Sequence, residues 1–211
     1  MKHLIIVGAR GAGREVYFTA TRSKDYGSGF DIKGFLDGKA DALVGYENYP
    51  PIIAPVEDYI PQKDDVFICA LGDPKWRNYY VNMIQEKGGT FINLIDYTAS
   101  IGTNVKMGKG CVIRDHAVLS CDVTIGDFVY IQPFADLGHD ASVGDYCHLN
   151  TYSFMGGYSK MESMSIIHTH GALLPHKTVY EGGIIGAGSV AIRDVKAGTT
   201  VVGNPAKKVE Y

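Results

Sequence analysis

The 211-residue sequence contains little of what marks secreted, disulfide-rich or nucleic-acid-binding proteins. Its four cysteines, at positions 69, 111, 121 and 147, show no C-x-x-C spacing, which argues against a disulfide framework or a zinc knuckle and predicts reduced, packed thiols. The net charge of −3 provides no general attraction for nucleic acid or for an anionic membrane. We therefore expect small molecules or other subunits as partners.

Long apolar runs are also missing. The opening MKHLIIVGARGAG has a short apolar stretch that stops at glycines, without a cleavage-site pattern, and no stretch of the chain is apolar for long enough to span a bilayer. We expect a cytoplasmic protein that begins with a β-strand and makes no membrane insertion.

Residues 1–96 alternate between strand and helix patterns. HLIIV and DIKGFLD are typical of buried strands, and REVYFTATR between them has helical spacing. VFICA is the next strand, followed by a helix that starts with Asp73 as N-cap and Pro74 and ends near Lys87, and then by the strand FINLI. Strands separated by helices predict a parallel sheet, here a small Rossmann-like α/β domain.

Residues 97–211 follow a six-residue repeat instead. An α-helix cannot keep such a period on one face, whereas a triangular β-solenoid can, with three repeats to a coil and one aliphatic side chain of each repeat pointing inward. The fourth residue after each aliphatic one is small or Val, except at Lys177, and we expect it to let the chain turn. The aliphatic positions are Ile101, Met107, Ile113, Leu119, Ile125, Ile131, Leu137, Val143, Leu149, Met155, Met161, Ile167, Leu173, Val179 and Ile185.

Three features together carry a resemblance to a known family: the hexads, the closing IIGAGSVAIRDVKAGTTVVGNPAKKV, and the opening VGARGAGREV followed by GFLDG. The sequence resembles the left-handed parallel β-helix acyltransferases with hexapeptide repeats, specifically the bacterial nucleotide-sugar N-acetyltransferases and the similar sialic acid O-acetyltransferases. The resemblance implies a nucleotide-sugar-binding domain over residues 1–96 and a catalytic domain, which binds acetyl-CoA, over residues 97–211. The left hand of the coil also comes from the family, because ordinary parallel crossovers are right-handed.

A histidine in the repeats has the chemistry of a general base. An imidazole titrates near neutral pH and can take the proton of an attacking amine. His139 and Asp140 match the Gly-His-Asp/Glu motif that supplies the base and its carboxylate in the family. Gly157, one coil after His139, lies where its backbone N–H could bind the thioester oxygen, although Gly156 and Gly157 fit a plain corner with positive φ equally well.

The resemblance also implies positions that bind the coenzyme. A histidine at the place of His148, which lies half a coil from His139, contacts the coenzyme from a neighbouring subunit in similar enzymes. Gly186 and Ala187, near the last hexad, and Gly156 and Gly157 are further candidates. Lys207, after the closing turn Gly-Asn-Pro-Ala, is a candidate for the coenzyme phosphates or else part of a solvated tail.

The first strand is followed by Gly8, Gly11 and Gly13, in the order G-x-x-G-x-G and not G-x-G-x-x-G. Placed between a strand and a helix, their amides can hold an anion. The resemblance implies that this turn holds the nucleotide, that Asp37 contacts its base or ribose, and that Arg10 compensates for Ala12, which is a histidine in many relatives, or else is solvated. Gln132 is a weaker candidate for orienting the His139 imidazole beside the substrate.

These observations favour acetyl-CoA-dependent N-acetylation of a nucleotide-linked amino sugar for a surface glycan, by direct transfer in a homotrimer without a metal. One alternative is O-acetylation of a sugar such as sialic acid, and another is a non-catalytic β-helix subunit that binds nucleotide sugar. A zinc hydratase built on His168, His170 and His176 is a third alternative, but no histidine pair has the five-residue spacing of such enzymes.

Overall fold

The computed structural model describes residues 1–209, which form two compact units. The N-terminal unit is Met1–Tyr97, and the solenoid unit begins at Thr98.

The N-terminal unit contains a five-stranded parallel sheet with the strand order β3-β2-β1-β4-β5. The doubly wound nucleotide-binding folds begin with the same order. The predicted strand FINLI is two separate two-residue strands, and the edge strand β3 was not predicted from the sequence. The elements are β1 (Lys2–Val7), α1 (Gly11–Thr21), β2 (Phe30–Leu36), β3 (Ile52–Ala54), β4 (Asp65–Cys69), α2 (Pro74–Glu86), β5 (Thr90–Phe91) and β6 (Leu94–Ile95).

Helix α2 begins where the sequence predicts it. The Asp73 side chain accepts hydrogen bonds from the backbone N–H groups of Lys75 and Trp76, at 2.8 and 3.0 Å, and so satisfies two amides that have no partner inside the helix. Pro74 occupies the first turn, where its missing N–H costs nothing. The cap fixes the direction in which α2 leaves the end of β4.

Most of the solenoid unit is a stack of two-residue parallel strands that pair at intervals of 18 residues along the chain, as Leu137 does with Met155. The last strands differ, since Ile184 pairs with Thr200 and Val201 pairs with Lys208 in an antiparallel hairpin. The three stacks are β7-β10-β13-β16-β19-β22, β8-β11-β14-β17-β20, and, from β9 onward, β9-β12-β15-β18-β21-β23-β24. The strands are β7 (Ser100–Ile101), β8 (Lys106–Met107), β9 (Val112–Ile113), β10 (Val118–Leu119), β11 (Thr124–Ile125), β12 (Tyr130–Ile131), β13 (Asp136–Leu137), β14 (Ser142–Val143), β15 (His148–Leu149), β16 (Phe154–Met155), β17 (Lys160–Met161), β18 (Ile166–Ile167), β19 (Ala172–Leu173), β20 (Thr178–Val179), β21 (Ile184–Ile185), β22 (Val190–Ala191), β23 (Thr200–Gly203) and β24 (Ala206–Lys208).

The predicted aliphatic positions form the solenoid core. From Ile113 to Ile185 every one of them is buried, whereas Ile101 in the first repeat is 41% exposed. Each buried aliphatic side chain removes apolar surface from water and contributes about 1.5–3 kcal/mol. The aliphatic residue that recurs every six positions is therefore the inward-facing residue of each short strand.

The corners differ from the prediction in one respect. The residue with the left-handed backbone precedes the small one: Asp140 has φ +58° and Tyr158 has φ +60°, followed by Ala141 and Ser159, which are buried. The small residue is required because its side chain fills the crowded inside of the corner. Gly156 and Gly157 do not have positive φ, so the alternative that they form a left-handed corner is wrong.

Cys69, Cys111 and Cys147 are buried free thiols, as predicted, whereas Cys121 is exposed on the solenoid. Burial raises the pKa of Cys69 to about 12, so this thiol stays protonated. None of the helices within residues 1–209 combines the length and apolarity needed to cross a membrane.

Candidate functional site

The N-terminal unit contains a cavity of about 470 Å³ at the carboxyl ends of its central strands. Ligand pockets typically enclose roughly 300–1,000 Å³, and open α/β sheets bind ligands at this edge. The turn after β1, the end of β2 and the β4–α2 connection form its walls. Of the predicted substrate-binding residues, Gly8, Arg10, Gly13 and Asp37 line the cavity.

The turn after β1 is tightly packed against the start of α1. A Cβ atom on Gly13 would lie 2.0 Å from the backbone oxygen of Gly8, so only glycine allows this approach, and Gly8 itself has φ +95°. Gly11 has open space around it and is not among the lining residues of the cavity. The sequence pattern thus singled out two glycines that shape the turn and one that does not.

The Asp37 carboxylate is held by two backbone amides. Its Oδ2 accepts from the Ala9 N–H and its Oδ1 from the Lys39 N–H, both at 2.9 Å, and its side chain is only 10% exposed. Arg10 is 72% exposed, with Nη2 at 3.9 Å from Asp37 Oδ1. Asp37 therefore stabilises the two turns that border the cavity, whatever it contributes to a ligand.

Several lining residues come from the connection between β4 and α2. Leu71, Gly72 and Asp73 precede the helix, and Trp76 and Tyr80 face the cavity from its first turns, with ring centroids 6.3 Å apart at 30°. Burial, with nearby Glu57, raises the pKa of Tyr80 and keeps its phenol neutral. The sequence indicates these residues through its second strand–turn–helix, β4 and α2. Only the pairing of β4 with β1 shows that this turn lies beside the turn after β1.

The predicted base and carboxylate meet in the solenoid unit. His139 Nδ1 lies 2.8 Å from Asp140 Oδ2, and the two side chains are 53% and 39% exposed. The left-handed backbone of Asp140 turns its side chain back toward the preceding residue. A carboxylate on Nδ1 selects the imidazole tautomer whose Nε2 is free to accept a proton.

Gly157 lies directly beneath this imidazole. A Cβ atom at position 157 would be 2.8 Å from His139 Nε2, so the glycine leaves the space that the ring occupies. The amides of Lys109 and Asp127, at the same place in their repeats, donate to the carboxylate of the residue one coil on, Asp127 and Asp145. The residue one coil after Gly157 is Pro175, which has no acceptor in its side chain.

Gln132 contacts His148 within the chain and not His139. Gln132 Nε2 is 3.3 Å from His148 Nε2, and Gln132 Oε1 accepts from Arg114 Nη1 at 3.2 Å. Within one chain the Nδ1 atom of His139 is bonded to Asp140, and the proposed role of Gln132 beside that ring stays a prediction. His148 is 7% exposed in the single chain, and its contact with the coenzyme also stays a prediction.

The remaining predicted coenzyme residues lie at the C-terminal end of the solenoid. The Gly186 amide donates to the Val201 carbonyl, and a Cβ atom at position 186 would be 2.6 Å from Val202, which pairs with Lys207 across the β23–β24 hairpin. Ala187 and Lys207 are exposed. Gly156 is placed against the Pro175 ring.

The histidines of the zinc alternative are spread over different corners. His170 stacks on Tyr152 and His176 on Tyr158, each with centroids about 5 Å apart. Across residues 1–209 no group of three or more His, Cys, Asp or Glu side chains is placed to hold a metal ion. The zinc hydratase receives no support from this arrangement.

Comparison with known protein families gives a match for the N-terminal unit. Residues 3–84 match the family model described as the PglD N-terminal domain. A sequence comparison with curated proteins gave no match.

Solved structures match nearly the whole chain. The acetyltransferase domain of PglB from Neisseria gonorrhoeae is 26% identical, with a TM-score of 0.90, over 99% of this chain and 100% of that one. A histidine variant of perosamine N-acetyltransferase from Caulobacter crescentus, in complex with CoA and GDP-perosamine, is 21% identical with a TM-score of 0.90, over 100% and 98%. WeeI from Acinetobacter baumannii is 23% identical with a TM-score of 0.70, over 99% and 100%. These matches confirm the resemblance to β-helix nucleotide-sugar N-acetyltransferases that the motifs indicated.

Proposed function

We propose that this chain, which resembles nucleotide-sugar N-acetyltransferases over its whole length, transfers the acetyl group of acetyl-CoA to the amine of a nucleotide-linked amino sugar. The observation that carries the proposal is the His139–Asp140 pair lying over Gly157 on a corner of the β-solenoid. The cavity of the Rossmann-like N-terminal unit, with its glycine turn and aromatic wall, supports a nucleotide as the second part of the substrate. Two solved relatives are complexes with acetyl coenzyme A and with CoA and GDP-perosamine.

The reaction requires a base, an oxyanion donor and a leaving thiolate. His139 Nε2 takes a proton from the amine as its nitrogen attacks the thioester carbonyl carbon. The Gly157 N–H donates to the oxygen that becomes negative in the tetrahedral intermediate. The C–S bond then breaks, and the CoA thiolate takes the proton held by the imidazolium, so that an amide and CoA remain.

Asp140 stabilises the imidazolium through the bond to Nδ1. No cysteine lies in the Gly138-His139-Asp140 motif, which supports direct transfer in a ternary complex without an acyl-enzyme. Gly156, Gly186, Ala187 and Lys207 are the proposed coenzyme contacts, with the exposed Lys207 ammonium suited to a phosphate.

The solenoid has a partly apolar face that is suited to contact between the chains of a homotrimer. We define the Val118 face as the outward side chains of β10, β13 and β16, where Val118 and Phe154 are 38% and 39% exposed, with Asp136 between them. Partial burial raises the pKa of Asp136. Light scattering at micromolar concentration is expected to give the mass of three chains, and a Phe154→Glu variant is expected to give a smaller species; a monomeric wild type would contradict the trimer.

The decisive experiment is an acetyl transfer assay with acetyl-CoA and a panel of UDP-, dTDP- and GDP-linked 4-amino sugars, with free sialic acid as the competing acceptor. Release of CoA with an amino sugar and not with sialic acid supports N-acetylation for glycan synthesis. Turnover of sialic acid alone would favour the O-acetyltransferase alternative. Binding of nucleotide sugar without turnover of any acceptor would favour a non-catalytic subunit.

A further inference from the structure

The His139 imidazole has a second neighbour besides Asp140. The ring of Tyr158 lies 5.1 Å from the imidazole centroid at an interplanar angle of 89°, an edge-to-face contact. The two residues are also joined through the backbone, because the Tyr158 N–H donates to the His139 carbonyl at 3.0 Å. Asp140, Gly157 and Tyr158 thus border the imidazole on separate sides.

Tyr158 is itself supported from the next coil. Its ring stacks on His176 with centroids 5.0 Å apart and an interplanar angle of 5°. Asp140, Tyr158 and His176 follow each other at intervals of one coil, and all three have φ near +60°. Their side chains therefore leave the same corner in the same direction, and the stack continues the column that contains Asp140, the carboxylate bonded to the candidate base.

Stacking at a corner does not by itself indicate a role in catalysis. On another corner His116, Phe134, Tyr152 and His170 form a ladder with centroids 4.9–5.0 Å apart. The rings of that ladder stack at the same spacing as Tyr158 and His176 but do not contact His139 or Asp140. The Tyr158–His176 stack differs because the Tyr158 ring contacts the His139 imidazole, whose side chain is 53% exposed.

An exposed imidazole bonded to one carboxylate can still rotate about its side-chain bonds. The Nδ1–Asp140 bond restricts one edge of the ring, and the Gly157 backbone restricts motion toward the next coil. The Tyr158 ring, which stacks on His176, occupies a further direction. The three contacts together fix the direction in which Nε2 points.

We propose that Tyr158, backed by His176, is a positioning residue that holds the His139 imidazole in its productive orientation. This inference rests on the proposed function, in which His139 is the base. Tyr158 does not touch the reacting atoms; it acts through the ring that does. Loss of the aromatic ring is expected to lower the turnover number and leave ligand binding largely unchanged.

The test compares Tyr158→Asn with Tyr152→Asn. Asparagine tolerates the left-handed backbone, so both variants are expected to fold, and each removes one ring from the middle of a stacked corner. Tyr158→Asn is expected to lower kcat about 10-fold with both Michaelis constants within about twofold of the wild type, because a displaced base loses rate and not affinity. Tyr152→Asn is expected to keep the wild-type kcat.

Two further variants test the mechanism. Tyr158→Phe keeps the ring and should restore most of the turnover lost in Tyr158→Asn. Adding Tyr158→Asn to His139→Ala should cost nothing more, because a positioning residue has no effect once the base is absent. An additive loss in the double variant would overturn the inference.

The outcomes separate the inference from the function on which it rests. Wild-type turnover in Tyr158→Asn, with turnover lost in His139→Ala, would overturn the positioning role and leave the base assigned. Equal losses in Tyr158→Asn and Tyr152→Asn would also overturn it, because the effect would belong to corner stacking in general. Wild-type turnover in His139→Ala would instead contradict the proposed base.

Discussion

The two units of the chain present their candidate sites in different ways. The N-terminal unit encloses a cavity of about 470 Å³, and its central carboxylate, Asp37, is 10% exposed and held by backbone amides. The solenoid unit presents His139 on a corner, with the side chain 53% exposed. Acetyl transfer requires that water be kept from the thioester. The proposed nucleotide site therefore lies within one chain, whereas the corner site needs a further surface, for which a second copy in the proposed trimer is suited.

The variant with the largest expected effect, His139→Ala, tests the role of the exposed corner. His139→Ala removes the proton acceptor and is expected to lower kcat by about 10²–10⁴-fold, the usual contribution of a positioned base, with acetyl-CoA binding retained. Asp140→Asn is expected to cost less, because the acceptor Nε2 remains. Steady-state kinetics with saturating acetyl-CoA measures both.

His116→Ala is the matched control for this prediction, since it removes another corner histidine that stacks on Phe134. It is expected to turn over at the wild-type rate. Wild-type turnover in His139→Ala would leave the fold intact and remove the mechanism.

Gly157→Ala tests whether the close packing of residue 157 against the His139 imidazole matters for catalysis. The new Cβ would lie 2.8 Å from His139 Nε2, so the imidazole must move, while the backbone at this position accepts alanine. The amide N–H is retained, so a loss of kcat reports the displaced base and not a missing oxyanion donor. We expect about a 10²-fold loss, the effect of misplacing a catalytic group by about 1 Å.

The control is an alanine at the equivalent place of the next hexad, where the native serine already carries a Cβ atom. Ser163→Ala places a Cβ-only side chain at the same position of the next hexad and is expected to leave kcat unchanged. If Gly157→Ala keeps the wild-type kcat and unfolding temperature, the close packing under His139 has no catalytic role.

The sequence predicted the solenoid in detail because a period of six corresponds to one geometry. The aliphatic position of every repeat from Ile113 to Ile185 is buried, and His139 and Asp140 meet because they are adjacent in the chain. Left-handed corners occupied by tyrosine and histidine were not predicted, because local propensity assigns that backbone to glycine or asparagine. Stacking between coils makes these residues acceptable, and it depends on neighbours 18 residues away.

The N-terminal cavity was predicted only in part, for a related reason. Gly8 and Gly13 were found from the first strand–turn–helix, and Asp37 from the resemblance to nucleotide-sugar acetyltransferases. Trp76 and Tyr80 join them only because β4 lies next to β1, a pairing that spacing along the chain does not determine. The burial of His148 was not predicted from the sequence either.

Asp37→Ala probes the enclosed site, with a smaller expected effect. It removes the acceptor of the Ala9 and Lys39 amides as well as any bond to the ligand. We expect nucleotide-sugar binding to weaken by about 1–3 kcal/mol, which is the cost of a lost charge-assisted hydrogen bond, with the Michaelis constant for acetyl-CoA unchanged.

Asp41→Ala is the control for the enclosed site, because Asp41 is an exposed carboxylate near Asp37 in sequence, 3.6 Å from Lys39. It is expected to bind the nucleotide sugar as the wild type does. Equal weakening for nucleotide sugar and acetyl-CoA in Asp37→Ala would point to a damaged fold and not to a nucleotide site.

The last effect concerns the stability of the N-terminal unit and leaves turnover unchanged. The Asp65 carboxylate is 1% exposed and accepts from Lys33 Nζ at 2.8 Å, Tyr59 Oη at 2.6 Å and the Gln62 amide at 2.8 Å. Burial by itself raises the pKa of Asp65, but these hydrogen bonds outweigh it and hold the pKa below the ordinary value. The network ties the segment before β4 to β2, and Asp65→Asn is expected to lower the free energy of unfolding by roughly 1–3 kcal/mol.

The direction of the pH dependence follows from the lowered pKa of Asp65. The unfolded chain binds the proton more tightly than the folded one, so the ionised carboxylate stabilises the fold above the unfolded pKa of about 4, and this contribution is lost as the pH falls through the folded pKa. Thermal unfolding measured from pH 7 to pH 3 should therefore show wild type and Asp65→Asn converging in acid. If their unfolding temperatures differ by the same amount at every pH, the charge of Asp65 contributes nothing and the hydrogen bonds alone hold the segment. Turnover at neutral pH, far below the unfolding temperature, should be the same in both, because none of these groups lines the cavity or contacts His139.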